Sequence, residues 1–503
     1  MILISITAKE KSNGQINQKW ADSFQDLINK WGLVELKNST RSDTWTNNQD
    51  KPILAALDKI FCTVNFEQRY PLAFVTAKPR VGSDHVPLVL NLGAKIPKKP
   101  SLYRFEKWWL EQPGFKELVK NVWSTPCAYD DPLDIWQFKT RLFRKKIKGW
   151  AININASIRK QKQELLKEFD ALNILQEERG LDSREKERMK SITTELEAVW
   201  RMEEIKARQR STDRNIIEGD KNTAYFQAVA NQRNRKKKII GLESPDGWIE
   251  DNDKMLNHAV DFYKSLFGQE ESSGVKLDDD FWMEDEKVTS LENDLLEADF
   301  SEEETKKAVF GSYADGAPGP DGLPFLFYQV FWDVIKKDLM MLVNSFGKGQ
   351  LDLDRLNYGM ITLIPKEPEA KILKKFRPVS LLNCSFKIFA KMLNNRLVVV
   401  ADRLIASNQT AFIKGRYILE SVVAAHEIIH EVHRSKEEGV MLKLDYEKAY
   451  DRVSWSFLED MLKSRGFGER WISWIRKVVR GGSLCIRMND ENSSYFKPGK
   501  GLR

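Results

Sequence analysis

Apolar residues recur in three different rhythms along the chain. Between residues 1 and about 93, short apolar runs such as Leu72–Thr76 and Val86–Leu92 alternate with turn residues. Runs this short, bounded by turn-forming residues, predict the strands of a small α/β unit. From about 94 to 300 the rhythm is helical. Leu165, Phe169, Leu172 and Leu175 recur at i, i+4, i+7 and i+10, the stripe of an amphipathic helix, and charged residues fill the other faces through Arg210. This pattern predicts a solvated helical hairpin packed on a neighbour.

The third rhythm begins near Ser301, where Ser301-Glu-Glu-Glu304 supplies an N-cap and a glutamate three residues on. Gly316-Ala-Pro-Gly-Pro-Asp-Gly-Leu-Pro324 is too rich in Gly and Pro for a helix and predicts a loop. Apolar strands are expected at Met360–Ile364 and Val440–Leu444, with helices at about 325–346, 385–404 and 418–434. The Val440 strand is expected to end on Asp445 and turn tightly into a helix. Asp451 is expected to cap that helix, which would begin at Arg452 or Val453. Strands mixed with helices predict an α+β multidomain protein. Its parts would be 1–93, a charged helical linker over 94–300, and 301–503, with Lys95–Pro100 as a basic, proline-containing joint.

Composition narrows this picture in four ways. A chain of 503 residues accommodates two to four domains. Lys and Arg number 80 against 73 Asp and Glu, so the net charge of +7 is modest and its distribution matters more than its total. No run approaches the roughly 18 apolar residues of a membrane span. The four cysteines, Cys62, Cys127, Cys384 and Cys485, are too scattered for a zinc site or a disulfide framework, which predicts a reducing intracellular compartment. Basic charge is concentrated at Arg233, Arg235, Lys236, Lys237 and Lys238, a cluster suited to phosphate contacts or simply to a solvated turn. Gln269–Glu304 is acidic and predicts no contact with a nucleic-acid backbone.

Several groups are candidates for chemistry. Asp84 and His85 sit just before an apolar run. A carboxylate beside an imidazole fixes its tautomer and leaves the other nitrogen for base work or a phosphate, although such a pair also serves purely structural ends. Asp58 is placed to support the same site. Lys366 and Arg377 stand beside rigid prolines at the ends of apolar runs, as a triphosphate clamp or as salt-bridged surface residues. Asp445 would offer one carboxylate to the two magnesium ions of in-line nucleotidyl transfer. Tyr450 either meets a nucleotide sugar or packs the helix start.

Two resemblances draw these groups together. Thr44-Trp45-Thr46-Asn47-Asn48, Ala56-Leu-Asp58-Lys-Ile and Gly82-Ser-Asp84-His85-Val-Pro-Leu resemble, in order and separation, the C-terminal half of the apurinic-type endonuclease domain of LINE (non-LTR) retrotransposons. The resemblance implies catalytic positions at Asp58, Asp84 and His85 in a magnesium-dependent DNA-nicking site. The family's preceding half, with its glutamate metal ligand, does not match here, which predicts a remnant unable to nick.

Further along, Ala314-Asp-Gly-Ala-Pro-Gly-Pro-Asp321-Gly, Ile364-Pro-Lys366, Arg377-Pro-Val-Ser-Leu, Gln409-Thr-Ala-Phe412-Ile-Lys-Gly-Arg416, Asp445 and Gly499-Lys-Gly-Leu-Arg503 resemble the fingers and first palm segment of LINE-type reverse transcriptases. Arg104-Phe105-Glu106-Lys-Trp108 and Gly219-Asp220-Lys221-Asn222-Thr223 look like linker motifs of plant-type members. The resemblance implies metal binding at Asp445, triphosphate contacts at Lys366 and Arg377, and sugar discrimination at Tyr450. It implies Mg²⁺ as cofactor, with RNA template, DNA primer or target, and dNTPs as partners. The reaction would be target-primed reverse transcription in the nucleus. The family's later Ala-Asp-Asp turn has no counterpart before Arg503, so the expectation is a truncated fragment that binds nucleic acid weakly and makes no DNA. The alternatives are a non-catalytic RNA- or DNA-binding fragment and, ranked lower, a group II intron maturase-like protein.

Overall fold

The computed structural model describes residues 10–13, 17–36, 43–47, 53–77, 84–92, 103–179, 181–211, 238–268, 277–278, 281–367, 370–436 and 438–502. Of the sequence features singled out above, Lys95–Pro100, Gly219–Thr223 and four members of the basic cluster, Arg233, Arg235, Lys236 and Lys237, lie outside the described residues. Lys238 is described, half-buried, with its ammonium 4.3 Å from the centre of the Phe74 ring. Burial lowers its pKa from the ordinary lysine value.

The first region is mixed. Helix α1 (Gln18–Lys30) starts where the Asn17 side chain accepts the Trp20 N–H. It is followed by β1 (Leu33–Glu35), β2 (Trp45–Thr46), β3 (Leu54–Ala55), β4 (Phe61–Thr63), α2 (Val64–Arg69), β5 (Phe74–Ala77) and β6 (Leu88–Asn91). These strands form three two-stranded antiparallel pairs, β1–β4, β2–β3 and β5–β6. The two apolar runs expected as strands appear as β5 and β6, which pair with each other, and Leu36, Cys62 and Val75 form a small core around them.

The helical region contains α3 (Phe115–Trp123), α4 (Pro132–Arg179) and α5 (Ser183–Ser211). The predicted stripe is real: Leu165 and Leu172 are buried against Ile192 and Leu196 of α5, with Phe169 and Leu175 packed beside them. Arg188 reaches across to Glu168 through two 2.7 Å hydrogen bonds. The N-terminal half of α4 behaves differently. Trp136, Phe143 and Ile147 join Phe105, Trp108, Trp109 and Phe115 in one core with Leu323, Phe327, Tyr328 and Phe389. Aromatic residues before 150 are therefore packed against residues beyond 300. Next come β7 (Leu242–Ser244), β8 (Gly247–Ile249) and α6 (Asn252–Leu266), whose Met255, Ala259 and Tyr263 pack in a second core.

The third region runs α7 (Ser290–Glu297), α8 (Glu302–Phe310), α9 (Phe325–Val330), α10 (Trp332–Gly347), β9 (Tyr358–Pro365), β10 (Phe376–Leu382), α11 (Cys384–Leu404), α12 (Ile418–Ser435), α13 (Trp455–Ser464), α14 (Glu469–Val479), β11 (Ser483–Met488) and β12 (Glu491–Asn492). Ser301 caps α8 as expected, its hydroxyl accepting the Glu304 N–H at 3.1 Å. The Glu304 carboxylate turns instead to Arg396 at 2.7 Å, tying α8 to α11. In the Gly-Pro loop, Gly322 has φ +76, and a Cβ there would stand 2.2 Å from the Tyr103 carbonyl oxygen. Only glycine fits that close approach.

The sheet order is β10-β9-β11-β12, with β9 antiparallel to β10 and parallel to β11. Ile361 and Leu363 of β9 and Leu484 and Ile486 of β11 are buried together with Met255, Ala259 and Tyr263 of α6. Mixed helix and sheet is therefore the fold class.

Two local expectations are corrected. Val440–Leu444 is not a strand: it carries no ladder, and Val440 and Leu442 are 98% and 77% exposed. A strand exists only where its N–H and C=O groups find a partner. Both edges of β9 are already taken by β10 and β11, and among the described residues no other strand pairs with the run. Asp451 does not cap the following helix. That helix begins at Trp455, and its cap is Ser454, whose hydroxyl accepts the Phe457 N–H at 3.0 Å. Asp451 belongs to the preceding turn, its N–H bonded to the Lys448 carbonyl at 2.9 Å. Among the described residues no helix is long and apolar enough to cross a membrane.

Candidate nucleotide and nucleic-acid sites

Strands β9 and β10 form a hairpin whose far end is basic. Arg377 pairs with Ile364, and Phe376 with Pro365. Lys366 continues the pairing: its N–H donates to the Lys375 carbonyl at 2.8 Å. Directly paired residues share a face of a sheet, and so do residues two apart on one strand. Lys366 and Arg377 therefore emerge on the same face. Both are exposed, and neither is held by a carboxylate among the described residues. Lys366 Nζ donates to the Lys374 carbonyl at 3.0 Å. Lys375, by contrast, is paired with Glu367. Pro365 precedes Lys366 and Pro378 follows Arg377, and their rings stiffen the backbone that presents the two cations.

The turn after residue 445 comes beside this hairpin. Lys448 is close enough to Lys366 for the two ammonium charges to repel, and its pKa is lowered, chiefly by burial, with Asp451 and Glu447 opposing. Its ammonium sits 4.8 Å from the centre of the Phe262 ring. Burial also raises the pKa of Asp451, against the pull of Lys448. Tyr450 is exposed and makes an edge-to-face contact with Phe412, ring centres 6.1 Å apart. It does not pack the helix start. Its carbonyl accepts the Leu502 N–H at 2.8 Å, while Trp455 Nε1–H donates to the Gly501 carbonyl at 2.8 Å, so the 499–502 segment is laced onto this turn.

Asp445 itself is exposed. Carboxylate oxygen is the right donor for magnesium. Among the described residues, however, no group of three His, Cys, Asp or Glu side chains is assembled for a metal.

The first region brings its three candidates together. His85 Nδ1 lies 2.8 Å from Asp58 Oδ2. With Asp58 ionised, Nδ1 is the donor and the imidazole lone pair is on Nε2. Asp84 accepts the Trp45 indole N–H at 3.0 Å. The three spans are sewn by backbone and side chain: Thr46 N–H to the Asp84 carbonyl, Val86 N–H to the Thr44 carbonyl, and the Thr44 hydroxyl accepting both the Leu57 and Asp58 N–H groups.

Sequence reasoning missed Trp45 as the partner of Asp84, Phe412 as the partner of Tyr450, and Lys448 as the neighbour of Lys366. Arg416 has a further role. Its guanidinium donates to the carbonyls of Asp402 and Ile405 at the C-terminal end of α11, and to those of Ala406 and Gln409 just beyond it.

Residues 364–503 match the family described as reverse transcriptase (RNA-dependent DNA polymerase). Over 493 residues the chain is 26% identical to the transposon TX1 uncharacterized 149 kDa protein of Xenopus laevis, covering 95% of this chain and 37% of that one. It is 27% identical over 188 residues to the retrovirus-related Pol polyprotein from type-1 retrotransposable element R2 of Nasonia vitripennis, covering 37% of this chain and 18% of that one. A similar span is 22% identical to the corresponding polyprotein from type-2 retrotransposable element R2DM of Drosophila melanogaster, covering 17% of it. The chain thus spans little more than a third of the TX1 protein and under a fifth of the other two. Residues 364–503 are thus similar to reverse transcriptases, and the chain is similar to proteins of the TX1 and R2 transposable elements.

Proposed function

We propose that this chain supplies the nucleotide- and template-gripping part of a retrotransposon reverse transcriptase that copies RNA into DNA on a nicked chromosomal strand in the nucleus. The carrying observation is the pair Lys366 and Arg377 on one face of the β9–β10 hairpin, exposed and without carboxylate partners among the described residues. Fixed cations on a stiff support bind a triphosphate without reorganising. Tyr450, in edge-to-face contact with Phe412 beside the same hairpin, is the aromatic proposed to meet the nucleotide sugar. The match of residues 364–503 to the reverse transcriptase family supports the assignment.

Charge-assisted hydrogen bonds to phosphate contribute about 1.5–3 kcal/mol each, so Lys366→Ala and Arg377→Ala should each weaken dNTP binding by about tenfold or more. Fluorescence titration of the purified chain measures this, and equal affinity in the double variant would overturn the proposal. Two-metal transfer needs carboxylates besides Asp445. Among the described residues no group of three such side chains is assembled, so residues 1–503 are expected to bind RNA–DNA template–primer without extending it, and Asp445-dependent incorporation by them would show otherwise.

A second reading concerns the first region. Asp58, Asp84 and His85 are proposed as the phosphate-facing part of a DNA-nicking site, on the strength of the 2.8 Å Asp58–His85 contact and the Trp45 bond that orients Asp84. His85→Ala should then reduce binding to duplex DNA with an abasic site, measured by anisotropy, while leaving dNTP binding intact.

A further inference from the structure

Three of the five histidines in the chain, His426, His430 and His433, fall on one helix, α12. His426 and His430 are four residues apart, and His433 follows one turn later. Residues three and four apart are neighbours on a helix surface, with Cβ atoms about 5–6 Å from each other. All three imidazoles are exposed, and none makes a hydrogen bond or ion pair to another described residue. Glu431, between them in sequence, is taken by Arg434 at 2.9 Å.

We propose that His426 and His430 form a surface chelate for a late divalent transition metal, with zinc the ion of reference. Imidazole nitrogen is the ligand type that zinc, nickel and copper share and that magnesium disfavours. Two imidazoles on successive turns close onto one ion when their exposed side chains rotate toward each other, with two waters completing a tetrahedral shell. The spelling His426-Glu427-Ile-Ile-His430 is that of zinc hydrolases, but those enzymes need a third protein ligand beside an activated water. Among the described residues no such group of three is assembled. The site is therefore one for binding and not for hydrolysis.

Binding has a structural consequence. Helix α12 buries none of its residues. Helices derive most of their stability from packing, so one without it depends on local links. A metal bridging two turns is such a link, and it should slow amide exchange along 426–433.

The test is a titration of residues 1–503 with zinc chloride in competition with a chromophoric chelator, followed by hydrogen exchange with and without the ion. Wild type should show a specific site. His426→Gln and His430→Gln should each weaken it by more than the ~10-fold that losing even an outer-shell partner costs. His258→Gln should leave it unchanged. Zinc should slow exchange in 426–433 of wild type and not of the double variant. Retention of zinc binding in the double variant, its loss on replacing His85 instead, or unchanged exchange in α12 would each overturn the proposal. Because the replaced side chains are exposed, the variants are expected to fold, and their circular dichroism without metal should match wild type.

Discussion

Residues 360–364 (Met-Ile-Thr-Leu-Ile) and 440–444 (Val-Met-Leu-Lys-Leu) each contain four apolar residues and one polar residue, in the same part of the chain. In the structure Ile361 is fully buried between β10 and β11, whereas Leu442 is 77% exposed and belongs to no ladder. Strand propensity measures fit to a pleated surface that neighbours have already built, and only the first run has such neighbours. The β9 run is paired on both sides, and α6 covers it. The 440–444 run follows α12, another amphipathic element that buries nothing, so the two exposed pieces are consecutive in the chain. Apolar content thus marks where a core is wanted, and pairing decides where one is made.

The largest expected effect sharpens this contrast directly. Ile361→Ala should cost about 2–5 kcal/mol, because it opens a cavity in a packed sheet core, while Leu442→Ala should stay within about 0.5 kcal/mol. Urea unfolding followed by tryptophan fluorescence reports both. A cost at Leu442 comparable to that at Ile361 would mean that the second run is packed in solution. Next in size is backbone protection. The amides of 360–363 should be among the slowest to exchange, and those of 441–446 should exchange like an unstructured peptide. Protection of 441–446 in the isolated chain would break the comparison, and protection gained only with template–primer would tie the run to substrate.

What was legible in the sequence was local. The Ser301 cap, the Leu165–Leu175 stripe, the strand at 360–364 and the helices near 385–404 and 418–434 follow from spacings of a few residues, and each appears within a residue or two of its expected place. Among the site residues, the Asp58–His85 pairing was legible only because separated motifs suggested it, and Thr44 turns out to be the clasp that joins them. Nothing in local spacing reveals that Phe412 meets Tyr450, that Trp45 holds Asp84, or that Tyr103 closes on Gly322 across more than 200 residues. Such contacts depend on tertiary placement, which neither period nor propensity encodes. The misplaced strand at 440–444 and the helix start assigned to Asp451 have one cause. A suitable residue type was present, but the partner that decides its role lay elsewhere, in the occupied edges of β9 and in the hydroxyl of Ser454.

The smallest effect carries the comparison to two carboxylates of the same motif set. Asp321, in the Gly-Pro loop, has its carboxyl enclosed near Tyr103, Tyr328 and Cys384, and burial pushes its pKa up to about 6, against the pull of Arg144, Lys387 and the Leu323 N–H. The folded chain therefore holds a proton there at pH values where the unfolded chain, with an ordinary carboxylate near 3.9, has released it. Stability is unaffected by this group below about pH 4, falls as pH rises toward about 6, and carries the full penalty above it. Asp321→Asn keeps an oxygen to accept the Leu323 N–H and removes the ionisation. It should stabilise the protein at pH 7 by about 1–2 kcal/mol, less than a full two-unit shift implies because the residue keeps some solvent contact, and the gain should vanish by about pH 4. Asp445→Asn, at an exposed position, should change stability by no more than about 0.5 kcal/mol at pH 7. If denaturation at pH 7 gave the reverse ranking, Asp445 would be the enclosed carboxylate in solution, and the exposed run that leads to it would have found a partner after all.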